Sequence, residues 1–272
     1  EYHRAGIMDS IEKAKAHLPR LDAIGGSSAG VFVDDRPRVA SLFRGISGAD
    51  FTEKISSMFI DLGKELEVPL SIINDGEVTA LAASMSLEKN AVLGIAMGTS
   101  EATGYVDTQG RVTSWLNELA FAPVDYSPNA PVDEWSGDIG CGVQYFSQQA
   151  VGRLIPKTSL SVDSNLGLPE KLECVQEFMA EGNGEAASIY RTIGIYLGYG
   201  VAHYASFYDI SHALILGRVT SGEGGTIILE EAEKVLASEF PDLNDRITFH
   251  QPDEKNKRHG QAIAAASLPS ID

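Results

Sequence analysis

Three short polar turns, each following an apolar run, hold the residues of this chain best suited to chemistry. Asn74-Asp75 follows the run at residues 70–73 and opens an Ala-rich stretch. A carboxylate at a strand end and helix start can accept the proton of a hydroxyl that attacks phosphorus, and the amide beside it can hydrogen-bond a polyol. An Asx turn with Asp75 as helix N-cap has the same local sequence, and the local sequence alone favours it. Gly98-Thr99-Ser100 follows the run at residues 91–97. Small residues there let backbone N–H groups approach a phosphate, and the two hydroxyls add donors. Residues 216–226, LGRVTSGEGGT, form a third turn. It could cradle a nucleotide by close backbone approach, but it lacks the Gly-Lys-Ser/Thr ending of a P-loop. A flexible surface loop is the alternative there.

The surrounding pattern says what must position these turns. Residues 70–73, 91–97 and 213–216 read as strands, and residues 101–106 as extended chain leading through Thr108-Gln109-Gly110 to residues 111–114. Residues 21–33, LDAIGGSSAGVFV, read as a strand, a Gly/Ser loop and more extended chain. Ile7, Ile11, Ala14 and Leu18 share one face of an opening helix. Further helices are expected over residues 51–66, 78–87, 144–154, 172–180, 186–208, 226–238 and 259–267. Pro123, Pro128 and Pro131 make residues 122–135 a loop or lid. Alternating strands and helices predict an α/β architecture with substantial parallel pairing. All three polar turns fall at strand C-termini, the edge where open α/β sheets bind ligands.

Bulk properties narrow the partners. The chain has 272 residues, 43% of them hydrophobic, and a net charge of −17. That charge repels phosphate backbones, so direct nucleic-acid binding is not expected. No apolar run is long enough to span a bilayer, and no signal peptide is visible, which points to the cytoplasm. Cys141 and Cys174 make no disulfide framework.

The order and spacing of these segments resemble the ROK (repressor, open reading frame, kinase) sugar kinases. Residues 72–87, IINDGEVTALAASMSL, look like the motif in which Asn-Asp opens an Ala-rich helix. MGTSEATGYVDTQG from Met97 is similar to the phosphate-contacting Gly-Thr hairpin. Residues 136–151, SGDIGCGVQYFSQQAV, resemble the Cys-Gly-x-x-Gly-Cys segment, and residues 213–226 the strand and turn that hold adenosine. The resemblance implies an α/β actin-like ATPase (ribonuclease H-like) fold with two lobes and a central cleft. Residues 1–110 would be the remainder of the N-terminal lobe and 111–272 the C-terminal lobe, with the terminal helix packing back on the first. The turns at 98–104 and 217–225 would line the cleft from opposite sides. By resemblance, Asp75 is the general base, Asn74 and Glu118 contact the sugar, Gly98 and Thr99 face the transferred phosphate, and Gly217, Ser221, Gly222, Gly224 and Gly225 flank the nucleoside. The cofactors implied are ATP and Mg²⁺ bound with it. The partner is a small-molecule sugar or polyol, and a homodimer is expected.

Departures from the pattern matter as much. The family's zinc-binding His is Phe121 here, and its cysteine positions read Glu134, Ser136 and Cys141. One thiol with a Glu and no His is a poor tetrahedral site, so no structural zinc is expected. A second sugar-binding Glu of the family is Val143. Loss of these polar partners argues for a changed substrate, or for a ligand-sensing regulatory domain of ROK-repressor type with little turnover. An Asp-x-Gly-Gly-Thr-like hairpin, which such kinases carry near the N-terminus, is not found before Leu21. The chain is therefore expected to start after the first hairpin of its N-terminal lobe.

Overall fold

The computed structural model describes residues 2–33, 36–39, 49–112, 118–252 and 260–270. The chain opens on α1 (Tyr2–Lys15), in which only Ile11 is buried. Next comes β1 (Ile24–Ser28), with the sequence IGGSS. Its composition predicts a loop, yet it is a strand. A side chain at Gly25 would run into the backbone of Ala265, so glycine here permits close packing of a later helix rather than a turn. The short strands β2 (Val31–Val33) and β3 (Arg36–Val39) pair antiparallel and lead to α2 (Ala49–Leu66). The chain then forms β4 (Leu70–Asn74), parallel to β1 with Ser28 opposite Asn74. α3 (Asp75–Leu87) starts at the very next residue.

The four-stranded sheet has the strand order β6-β5-β7-β8. β5 (Val92–Met97) has no polar side chain and is buried on both faces, as a central strand must be. β6 (Glu101–Val106) returns antiparallel beside it. β7 (His212–Leu216) and β8 (Thr248–His250) add in parallel on the other side. Val112 bridges Val106, while residues 113 and 114 of the expected hairpin arm lie outside the described residues. The pairing groups β5 and β6 with strands from the later half of the chain, ahead of the division expected near Gly110.

Helices cover both faces of this sheet. α4 (Gln148–Leu154), α5 (Leu168–Ala180), α6 (Gly184–Tyr204) and α7 (Glu223–Glu239) follow the loop region, then the one-turn α8 (Pro241–Asn244). Leu93, Ile95 and Met97 point to the α6 side and join the main core with Tyr190, Ile193, Leu197 and Val201. The opposite face meets α3, where Val92 packs with Ala83 and Gly94 leaves room for the backbone of Ala80. α9 (Gly260–Ala266) closes over α3 and β1, with Ala264 and Ala265 buried against Val78 and Gln261 donating to the Thr79 hydroxyl at 2.7 Å.

Candidate active site

The β4–α3 junction builds the first part of the site. Asn74, not Asp75, is the helix N-cap. Its Oδ1 accepts from the Gly76 amide at 2.7 Å, and Glu77 reaches back to the Asn74 amide, completing a capping box. The capping alternative thus picked the right motif and the wrong residue. Asp75 is the first helical residue, half-buried, with its carboxylate accepting from Gly76 N at 3.1 Å. Both Asn74 Nδ2 protons are committed, one to the Gly30 carbonyl at 2.6 Å and one to Glu118 Oε1 at 3.0 Å. Asn74 therefore holds Glu118 beside Asp75, although the two carboxylates are 43 positions apart in the chain. Burial raises the pKa of Asp75 above its usual 3.8. It raises that of Glu118 too, and the neighbouring Asp75 charge adds to the effect while the Asn74 hydrogen bond opposes it.

Two glycines bring this junction onto the four-stranded sheet. A side chain at Gly76 would strike the Thr103 carbonyl, and one at Gly104 would strike the Gly76 carbonyl. The start of α3 consequently rests directly on the β6 backbone at Thr103 and Gly104, the strand that follows the turn of Gly98, Thr99 and Ser100. Gly98 uses its own amide to donate to the Ser100 carbonyl at 3.0 Å, and its carbonyl accepts from Gln148 N at 2.9 Å. Thr99 and Ser100 are exposed.

The expectation that the turns at 98–104 and 217–225 face each other across a cleft is not met. β5 and β7 are parallel neighbours, so the two turns leave the same sheet edge side by side. Gly217 has φ 109° and abuts the Met97 backbone, a position only glycine fits without strain. Ser221 and Gly222 are exposed, whereas Gly224 and Gly225 are buried. The Tyr190 ring fills the space a side chain at Gly224 would need, and the Thr220 carbonyl does the same at Gly225.

Where the resemblance would put a metal, the structure has an apolar patch. Cys141 is buried with Ala120 and Val143, and Phe121 packs on them. The Phe121 ring stacks at 5.2 Å on Trp135. Burial, then the charges of Asp133 and Asp138, push the Cys141 thiol up to about 11. Glu134 and Ser136 are exposed. Among the described residues no group of three or more His, Cys, Asp or Glu is placed to hold a metal ion. No helix among them is long and apolar enough to cross a membrane.

One group at this edge went unnoticed in the sequence. Glu101 begins β6 directly after the Gly-Thr-Ser turn and is only 6% exposed. Its alternation with Thr103 and Tyr105, which face the core, was the available signal: an acidic residue in phase with buried positions.

No family model matches the chain, and no curated protein matches it in sequence. Solved structures do match its shape. A ROK hexokinase from Thermus thermophilus superposes with a TM-score of 0.72 at 17% identity, covering 97% of this chain and 84% of that one. A ROK family glucokinase from Streptomyces griseus in complex with glucose and AMPPNP gives 0.69 at 20% identity, covering 97% and 88%. A ROK family transcriptional regulator, a homologue of the E. coli MLC protein, gives 0.70 at 17%, covering 98% and 68%. The chain thus has the actin-like ATPase fold that ROK kinases and a ROK regulator share.

Proposed function

We propose that this protein is an ATP-dependent kinase of the ROK kind, transferring a phosphoryl group to a hydroxyl of a sugar or related polyol. The observation that carries this reading is the Asn74–Asp75–Glu118 cluster. Asn74 takes the cap, so Asp75 is released from that duty and stands at the site edge beside a second carboxylate. Its raised pKa moves it toward the basicity that removing a hydroxyl proton demands. Glu118 and Asn74 bind acceptor hydroxyls. For Asn74 this means the free lone pair of Oδ1 or exchange of one bond it now makes. Exposed Thr99 and Ser100, with Ser221 and Gly222 alongside, fit the phosphates and ribose of a nucleotide laid along the β5–β7 edge. ATP supplies the phosphoryl group, and Mg²⁺ comes with it, because its usual ligands are phosphate oxygens and one or two carboxylates. We place the lobe division at the α3–β5 connection and the protein, as a dimer, in the cytoplasm.

The acceptor differs from glucose in this reading. Phe121 ends the short 3₁₀ turn that Glu118 opens, and residues three apart in such a turn lie over one another. The aromatic pair Phe121–Trp135 then favours an acceptor with an apolar face or substituent near its recognised hydroxyls.

Asp75→Asn tests the proposal. Phosphoryl transfer from ATP to a panel of sugars and polyols is expected to fall about 10²- to 10⁴-fold, with nucleotide affinity retained and melting no lower than wild type. Equal rates in the two proteins would remove Asp75 as base. Wild-type protein that binds a sugar and phosphorylates nothing would instead support the regulatory reading, which the similarity to the ROK regulator also favours.

A further inference from the structure

Glu101 lies on the opposite face of β6 from α3, behind the Gly-Thr-Ser turn. Its Oε1 accepts from the Thr103 hydroxyl at 2.6 Å, while its Oε2 is buried without a hydrogen-bond partner. That oxygen faces Gly142. A side chain there would come within 2.5 Å of Glu101 Oε2, 3.1 Å of the Leu119 carbonyl and 3.2 Å of the Tyr204 hydroxyl. Three oxygens from three separate segments therefore converge on the one spot that a glycine leaves open. Tyr204, from α6, donates to the same Leu119 carbonyl at 3.4 Å. The Gly142 amide donates to the Ala122 carbonyl at 3.0 Å, which ties this loop to the end of the Glu118 turn.

We propose that Glu101 is a positioning residue, whose carboxylic acid proton bridges to the Leu119 carbonyl and so fixes the Glu118 turn against the Gly98–Ser100 turn. The inference rests on the kinase reading for its catalytic consequence, though not for the bridge itself. Leu119 directly follows Glu118, so a shift at its carbonyl moves the carboxylate that Asn74 holds beside Asp75. Glu101 itself reaches no substrate. The groups facing it are Thr103 on its own strand, Tyr204 on α6, and Cys141 beside Gly142. Tyr204 and Cys141 are themselves held neutral by burial, so no cation among these groups offsets a charge on Glu101. Burial pushes the Glu101 carboxyl up to about 8. It is thus a neutral donor at pH 7, and above pH 8 it becomes an anion facing the Leu119 carbonyl.

The test uses the full-length protein with Glu101→Gln, which keeps a donor, and Glu101→Leu, which has none. Amide hydrogen exchange reads the bridge. Glu101→Leu is expected to speed exchange at least tenfold in both the 98–104 and 118–122 segments, with α5 unaffected and with Glu101→Gln close to wild type. Faster exchange confined to 98–104, or spread over the whole chain, overturns the bridge. Kinetics reads the consequence. Glu101→Leu should raise the acceptor KM about tenfold and leave the ATP KM within twofold. Wild-type kcat/KM should fall about tenfold as pH rises through 8 and then level off, while Glu101→Gln stays level to pH 9.5. A Gln variant that declines in parallel with wild type overturns the positioning role. If no protein transfers phosphate, the kinase reading fails and the exchange arm alone decides the bridge.

Discussion

Asn74 joins three roles in one side chain, and substitutions separate them. Removal of an N-cap side chain costs about 1 kcal/mol, and here the Gly30 and Glu118 contacts are lost with it. Asn74→Ala should therefore destabilise by about 1–3 kcal/mol in chemical denaturation. Asn74→Asp keeps the cap but sets a third carboxylate against Glu118 and Asp75 in place of an amide donor. Like charges in a half-buried site repel, so this variant should melt below wild type at pH 8, with the gap closing as the pH falls to 5. A gap independent of pH would mean that Asn74 acts on the helix alone.

The critical joint between elements is the crossing of α3 over β6. Gly76 and Gly104 meet backbone to backbone, and no side chain fits at either position. Gly104→Ala must push the start of α3 away from the sheet edge. Overpacking of this kind costs about 1–3 kcal/mol, and the displacement falls on Asp75 and Asn74 directly. The expected result is a lower melting temperature together with a loss of turnover larger than the stability change explains. Gly137→Ala is the control. Its φ of 80° strains any replacement, but nothing lies within 4 Å, so it should lower stability modestly and leave turnover near wild type. Equal activity in both variants would show that the α3–β6 contact does not set the site.

For the whole molecule, buried carboxyls and net charge act in the same direction. A group whose folded pKa lies above its unfolded value stabilises fully below the unfolded value, and that contribution is lost as pH rises through the folded one. For Glu101 the window runs from 4.5 to about 8. Asp75 and Glu118 shift the same way. The net charge of −17 adds self-repulsion that also eases on acidification. Asp125 and Asp133 have lowered values and oppose this only as pH drops through and below the usual carboxylate range. His212 and His250, whose values burial lowers below the usual 6.5, oppose the trend once pH falls through 6.5. Thermal stability should therefore rise as pH falls from 8 to 7, and Glu101→Gln should flatten that slope. A melting temperature that rises with pH across this interval would contradict the burial of Glu101 as a neutral acid.

Read alone, the sequence determined whatever depends on local pattern. The all-apolar run of β5 could only be a central strand, and it is one. Asn74-Asp75 after an apolar run marked a strand-to-helix junction, and α3 begins there. Phe121 and Val143 stand where the resemblance expects polar residues, and as apolar residues they pack around a buried thiol. Tertiary structure decided what depends on partners distant in the chain. The Gly/Ser part of IGGSS reads as a loop, yet pairing with β4 makes it a strand, and Gly25 leaves room for Ala265 to pack on it. Glycine before a helix reads as a ligand-binding turn, yet Gly224 is filled by Tyr190, thirty-four residues earlier. Strand pairing put the two Gly-rich turns on one edge rather than on facing lobes, because β5 and β7 are neighbours across more than a hundred residues. The hydrogen bond from Asn74 to Glu118, and the convergence of Glu101, Leu119 and Tyr204 on Gly142, come from the same cause. Periodicity reports which face of an element is buried, but not which element will cover it.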